Sequence, residues 1–231
     1  MALSRAPADL NALRHAVCQA NRTLVTAGLV VQTWGNASGV DPARRVMVIK
    51  PSGVAYDDLR PDTMVAVDLD SGAALDGDLR PSSDTPTHRE LYRALPGLGG
   101  IVHTHSLYAT AWAQAGREIP LLGTTHADFL RGPVPCTRGL CDEEVAGDYE
   151  ANTGRVILER LAGLDPAEVP AVLVAGHGPF TWGPDAHAAV QNAIVLERVA
   201  ELALATLHVR PDAPPIRPAL RDKHFLRKHG P

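Results

Sequence analysis

Two histidines stand one residue apart at the end of an apolar run, in GGIVHTHS (Gly99 to Ser106). Ile101 and Val102 are β-branched, so the run reads as a strand, on which side chains alternate faces. His103 and His105 therefore share a face and Thr104 takes the other. Two imidazoles on one face can bind one metal ion, or serve as ordinary polar residues at a strand end. A third histidine, His177, follows the apolar run AVLVAG at another strand-to-turn junction. Three such histidines can hold zinc through neutral nitrogens and leave a coordination position open. Asp84, in RPSSDTPTH, precedes a helix and can supply a carboxylate ligand or a partner to one. His88, four residues on, competes as a ligand.

Three short stretches suggest anion binding: GNASG with Asn36, KPSG with Lys50, Ser52 and Gly53, and PSSD with Ser82 and Ser83. Small residues let backbone N–H groups approach an anion, and Lys50 adds charge. None is a nucleotide phosphate loop, and no G-x-G-x-x-G occurs. With a metal constellation they point to a small phosphorylated substrate. In GTTHADF, Asp128 among apolar and hydroxyl neighbours reads either as a turn cap or as an acid/base of raised pKa. There is no G-x-S-x-G, so a serine hydrolase is unsupported.

The elements that must position these residues follow from periodicity. A first helix, capped by Asp9, carries Leu10, Leu13, Val17 and Leu24 and stops at Gly28. VVQTWGNASG, RVMVIKPSG, MVAVDLDSG, GGIVHTH, IPLLGT and PAVLVAGHG read as strands. Helices follow from Thr85 and Pro86, in SLYATAWAQA, from Asp142 with a break near Gly147 or Gly154, and from Asp185 to Leu207. A proline-rich connector leads to a short basic helix, ALRDKHFLRKHG. No internal repeat or dividing linker is visible. The expected architecture is a single layered α/β domain over residues 1–231, with a central, mostly antiparallel sheet flanked by helices.

Composition excludes several classes. Of 231 residues, 45% are hydrophobic, enough for a full core. The net charge of −4 argues against a nucleic-acid binder, and no run is apolar enough to span a membrane. No signal core opens the chain, so a soluble, cytoplasmic protein is expected. Cys18, Cys136 and Cys141 do not form a disulfide framework, and they read as inert thiols. Trp34, Trp112 and Trp182 read as core or interface.

Longer runs carry a resemblance: TWGNAS, IKPSGV, RPSSDTPTH, GGIVHTHS, WAQAG, GTTHAD, PCTR, HGPFTWG, NAIVLE and DKHFLRKHG. They span nearly the whole chain, which resembles the class II aldolase/adducin family, and within it the epimerases of L-ribulose 5-phosphate. The resemblance implies a zinc-dependent enzyme interconverting L-ribulose 5-phosphate and D-xylulose 5-phosphate by retro-aldol cleavage between C3 and C4. It implies a homotetramer with active sites between subunits. His103, His105 and His177 become metal ligands, with Asp84 at or beside the metal. The phosphate lies near Ser52, Gly53, Ser82 and Ser83, with Asn36 and Lys50 close by. Asp128 becomes an acid/base. His224, in a tail of about residues 217–231, reaches a neighbour's site, lined also by Thr124. The family's epimerases carry a tyrosine shortly after the run LRKHG that serves as second acid/base. None of Tyr56, Tyr92, Tyr108 and Tyr149 occupies that place, so slow inversion is the expectation. The resemblance leaves as alternatives an aldolase of the L-fuculose-phosphate type, a sugar-acid phosphate decarboxylase and a non-catalytic adducin-like module. Related aldolases carry SSE where this chain has SSD.

Overall fold

The structure is a computed structural model and describes residues 10–230. Six strands form one sheet: β1 Asn36–Val40, β2 Val46–Ile49, β3 Val65–Asp68, β4 Gly100–His103, β5 Ala171–Leu173 and β6 Pro179–Gly183. Their order is β3-β2-β1-β4-β6-β5, and every neighbouring pair is antiparallel. The helices are α1 Asn11–Thr26, α2 Thr85–Ala94, α3 Leu107–Gln114, α4 Thr124–Ala127, α5 Asp142–Ala146, α6 Tyr149–Leu161, α7 Ala186–Val209 and α8 Pro218–His229. The layered, antiparallel architecture is the one the sequence leads one to expect. Asp9, read as the cap of α1, lies outside the described residues.

Alternation along the strands divides the core. Ala37, Val48, Ala66 and Val102 pack beneath α1 and α7. Met47, Ile49, Val65, Val67, Ile101, Phe180 and Trp182 face α2 and α6 on the other side. Adjacent residues such as Val48 and Ile49 thus enter different cores, as a pleat of period two requires. A third cluster joins α3, the later part of α7, and β5.

The start of α7 is fixed from both sides. Asp185 caps it, its side chain accepting from the Ala188 N–H at 2.8 Å; such a cap is worth ~1 kcal/mol. Gly100 of β4 lies directly against it, and a Cβ there would come within 2.4 Å of the Ala186 nitrogen and the Asp185 oxygen.

Several local expectations are corrected. IPLLGT is not a strand: Ile119 makes one isolated bridge to Val134, and the segment runs into α4. Only the last four residues of VVQTWGNASG, from Asn36, enter a strand, because Gln32 adopts a left-handed φ of 55° in the preceding turn. The strand β6 was hidden in the run PFTWG, whose leading proline suits the first position of a strand. The break between α5 and α6 falls at Gly147, while Gly154 stays helical against Glu90. Among the described residues no helix is long and apolar enough to cross a membrane.

Candidate active site

The ends of five elements and one turn meet at one edge of the sheet, on the α2 and α6 side. Asn36 opens β1 directly opposite His103, which closes β4. Lys50 follows β2, Asp84 precedes α2, Tyr149 and Glu150 open α6, and His177 lies between β5 and β6. Together they line a cavity of about 340 Å³. Two close backbone approaches make this possible. A Cβ on Gly35 would come within 2.8 Å of the His103 carbonyl oxygen, and one on Gly178 within 2.8 Å of the Thr104 carbonyl oxygen.

The three histidines converge, with one ring nitrogen from each lying within 4.8 Å of the others. His103 stacks on Phe180, its partner across β6, at 4.2 Å between centroids. His103 Nδ1 lies 2.9 Å from the Pro179 carbonyl. A carbonyl only accepts, so Nδ1 carries the proton and Nε2 presents a bare lone pair. That lone pair lies 3.0 Å from His105 Nε2. Two ring nitrogens at this distance need a proton or a cation between them. Burial lowers the pKa of His105, and lowers that of His177 to about 4. Both are therefore neutral near pH 7, the form that ligates metals. The donor set fits a zinc-class divalent ion.

Asp84 stands beside this group rather than within it. Its Oδ2 accepts from Asn36 Nδ2 at 2.6 Å, and its carboxylate does not cap α2. Burial works to raise the Asp84 pKa, but the surrounding imidazoles and the Asn36 hydrogen bond leave it lowered. His88, the competing ligand, lies beneath the site: its Nδ1 is 2.7 Å from Ser38 Oγ, which also meets Tyr92 Oη at 2.8 Å. Full burial pushes the His88 pKa down to about 3.

Two serine turns share the cavity with the histidines, bridged by Ser52 N–H to the Arg80 carbonyl at 2.9 Å and Ser82 N–H to the Lys50 carbonyl at 3.0 Å. Ser52, Gly53, Ser82 and Ser83 all line the cavity with Asn36, whose buried Oδ1 has no hydrogen-bond partner among the described residues. This pairing brings together three stretches far apart in sequence.

Three expected site residues lie outside this cavity. Thr124 lines a separate hollow of about 260 Å³ between α4 and α7. Asp128 ends α4, and His224 on α8 meets it within the same chain, Nδ1 to Oδ1 at 2.9 Å. Arg227 donates to the same oxygen, also at 2.9 Å. A raised Asp128 pKa is therefore corrected: the His224 hydrogen bond, with Arg227, holds the carboxyl below its ordinary value.

Tyr149, Glu150, Thr33 and Trp34 also line the cavity, unanticipated from sequence. The Tyr149 hydroxyl lies 3.4 Å from His177 Nδ1. Trp34 is 52% exposed, unlike the buried Trp112 and Trp182. The glycine break before Tyr149 is the one sign in the sequence that the start of α6 holds a particular place. Cys18, Cys136 and Cys141 are free thiols outside the histidine group.

Known proteins share this arrangement of elements. An L-fuculose 1-phosphate aldolase superposes with a TM-score of 0.78 at 20% identity, over 96% of this chain and 97% of that one. YgbL of Escherichia coli, described by three candidate activities, aldolase, epimerase or decarboxylase, is 26% identical with a TM-score of 0.72, over 92% and 97%. YgbL of Klebsiella pneumoniae is also 26% identical, with a TM-score of 0.70 over the same shares. The family model for the class II aldolase and adducin N-terminal domain matches residues 15–204, which include every residue lining the histidine cavity. On that match, the chain belongs to the class II aldolase and adducin family.

Proposed function

We propose that this protein is a divalent-metal-dependent enzyme that breaks and remakes a carbon–carbon bond in a small phosphorylated sugar, and that it interconverts L-ribulose 5-phosphate and D-xylulose 5-phosphate. The observation that carries the reading is one cavity lined both by three converging histidines and by two bridged serine turns. The epimerase-type runs quoted from the sequence favour this substrate pair within the family.

His103, His105 and His177 would hold the metal, with Asp84 beside it. Bound zinc supplies Lewis acidity toward the sugar's carbonyl and hydroxyl oxygens. Ser52, Gly53, Ser82, Ser83 and Asn36 receive the phosphate and keep the cleaved fragment from leaving. Removal of the C4 hydroxyl proton lets the C3–C4 bond break. The glycolaldehyde phosphate fragment turns about its anchored phosphate, and C3 attacks its other face. Asp128, ionised and tied to His224, moves the proton at the C4 oxygen. Within one chain this pair lies outside the histidine cavity, which favours a homotetramer in which Asp128, His224 and Thr124 serve a neighbouring subunit's site. Zinc, a ketopentose phosphate substrate and a cytoplasmic setting belong to the same reading.

A second reading, an aldolase releasing dihydroxyacetone phosphate, is favoured by the likeness in fold to L-fuculose 1-phosphate aldolase. Product analysis by NMR separates the two. Zinc-loaded protein should convert L-ribulose 5-phosphate to D-xylulose 5-phosphate and leave L-fuculose 1-phosphate uncleaved. Rapid cleavage of the second with no epimerisation of the first would replace the epimerase with the aldolase.

A further inference from the structure

Among the described residues, Lys50 is the one lysine or arginine lining the histidine cavity, the natural charge partner for a phosphate. Its surroundings point elsewhere. The residue is only 2% exposed. Its Nζ donates to the Val54 carbonyl at 2.9 Å and to the Pro51 carbonyl at 3.3 Å. It also lies 4.8 Å from the centre of the Tyr56 ring, a cation–π distance.

Those two carbonyls bracket Ser52 and Gly53. Gly53 is left-handed, with φ 71° and open space beside its Cα. By binding both carbonyls the ammonium ties the two ends of this turn together. The Tyr56 hydroxyl lies 2.9 Å from each of the Trp34 and Gly35 carbonyls, immediately before Asn36. One buried contact between an ammonium and a ring thus joins the Ser52 turn to the strand that carries Asn36. The bridge to the Ser82 turn ties in the remaining phosphate-facing residues. Among the described residues, the N–H groups of Gly53 and Ser83 have no backbone partner.

We propose that Lys50 is a positioning residue: its ammonium, committed to Pro51, Val54 and the Tyr56 ring, holds the Ser52–Gly53 turn in the shape that receives an anion and does not itself pair with that anion. This rests on the phosphate site proposed above. The anion would then be held by hydroxyls and backbone N–H groups, as in other backbone anion nests.

The test titrates inorganic phosphate into the zinc-loaded full chain, at low and high salt, with Lys50→Met, Lys50→Gln and Tyr56→Leu. Melting curves and zinc content monitor folding. Lys50→Met is expected to weaken phosphate binding ~10-fold or more, the scale of hydrogen bonds made by a charged group. Tyr56→Leu, which keeps the charge but removes its seat, is expected to lose a similar factor. Lys50→Gln keeps an N–H donor without charge and should recover binding to within ~3-fold of the parent. The dependence of affinity on salt should survive in Lys50→Gln, because no direct ion pair was removed. If Tyr56→Leu binds normally while Lys50→Gln is as weak as Lys50→Met and loses its salt dependence, the ammonium pairs with the anion and the proposal is wrong. Should the parent chain bind no phosphate, the phosphate site itself falls, an outcome distinct from either variant pattern. Tyr56→Leu and Lys50→Gln decide the matter even if Lys50→Met fails to fold.

Discussion

Asp128 and His224, 96 residues apart in sequence, meet at 2.9 Å within one chain. The contact docks α8 on α4 and, with Arg227, fixes Asp128 as an ionised acceptor. Asp128→Asn should keep the fold and metal content and lose ~10²–10⁴-fold in turnover, the range of a positioned acid/base. Protease sensitivity of α8 should rise at the same time. Near-normal turnover in a metal-replete variant would remove Asp128 from the mechanism.

His103 and His105 supply two of three converging nitrogens. The double variant His103→Asn with His105→Asn should drop the bound metal from one ion per chain to trace level, because a single remaining histidine cannot hold zinc. Elemental analysis of purified protein reads this directly, and unchanged metal content would dismiss the site.

Gly100 touches backbone that cannot move without disturbing the cap of α7. Gly100→Ala should therefore destabilise by ~1–3 kcal/mol or more, the usual cost of overpacking. The urea midpoint should fall with little change in slope. A midpoint equal to the parent's would show that β4 and α7 separate more easily than their contact implies.

Burial holds His88 near pKa 3 and His126 near 4. An unfolded histidine titrates near 6.5, so between about pH 6.5 and 4 the unfolded chain binds more protons than the native one. Stability of the metal-free protein should accordingly fall as pH drops through that window, by up to ~1.4 kcal/mol per pH unit for each group. Urea midpoints at several pH values check the sign. A flat profile would mean that these imidazoles can be protonated in place.

The proposed shared site requires association. Light scattering should give a mass four times that of the chain at micromolar concentration. Mixing an Asp128→Asn variant with a His103→Asn, His105→Asn variant should restore part of the activity through hybrid sites. A monomer, or no complementation from an intact tetramer, would place the whole site within one chain.

Local, periodic features of this chain are legible in its residues alone. The alternation read in Ile101 to His105 anticipates two histidines turned the same way; β4 itself ends at His103, and His105 reaches the same group from just beyond it. The turn marked by Gly53 that carries Ser52, the proline-led turn that carries Ser83 and the amphipathic helix from Ala186 are legible in the same way. Each depends on neighbours within a few residues. Other features came from packing between distant segments. Strand β6 became a strand because β4 and β5 offered their edges to PFTWG, a run of five whose Phe, Thr and Trp suit a strand but whose flanking Pro and Gly mask it. Tyr149 and Glu150 joined the cavity because α6 packs beside α2. Lys50 turned inward, away from its expected partner, because Val54, Pro51 and Tyr56 satisfied its ammonium in the interior. Periodicity fixes which face a side chain takes, whereas its partner is set by which distant segments the fold brings within hydrogen-bonding reach.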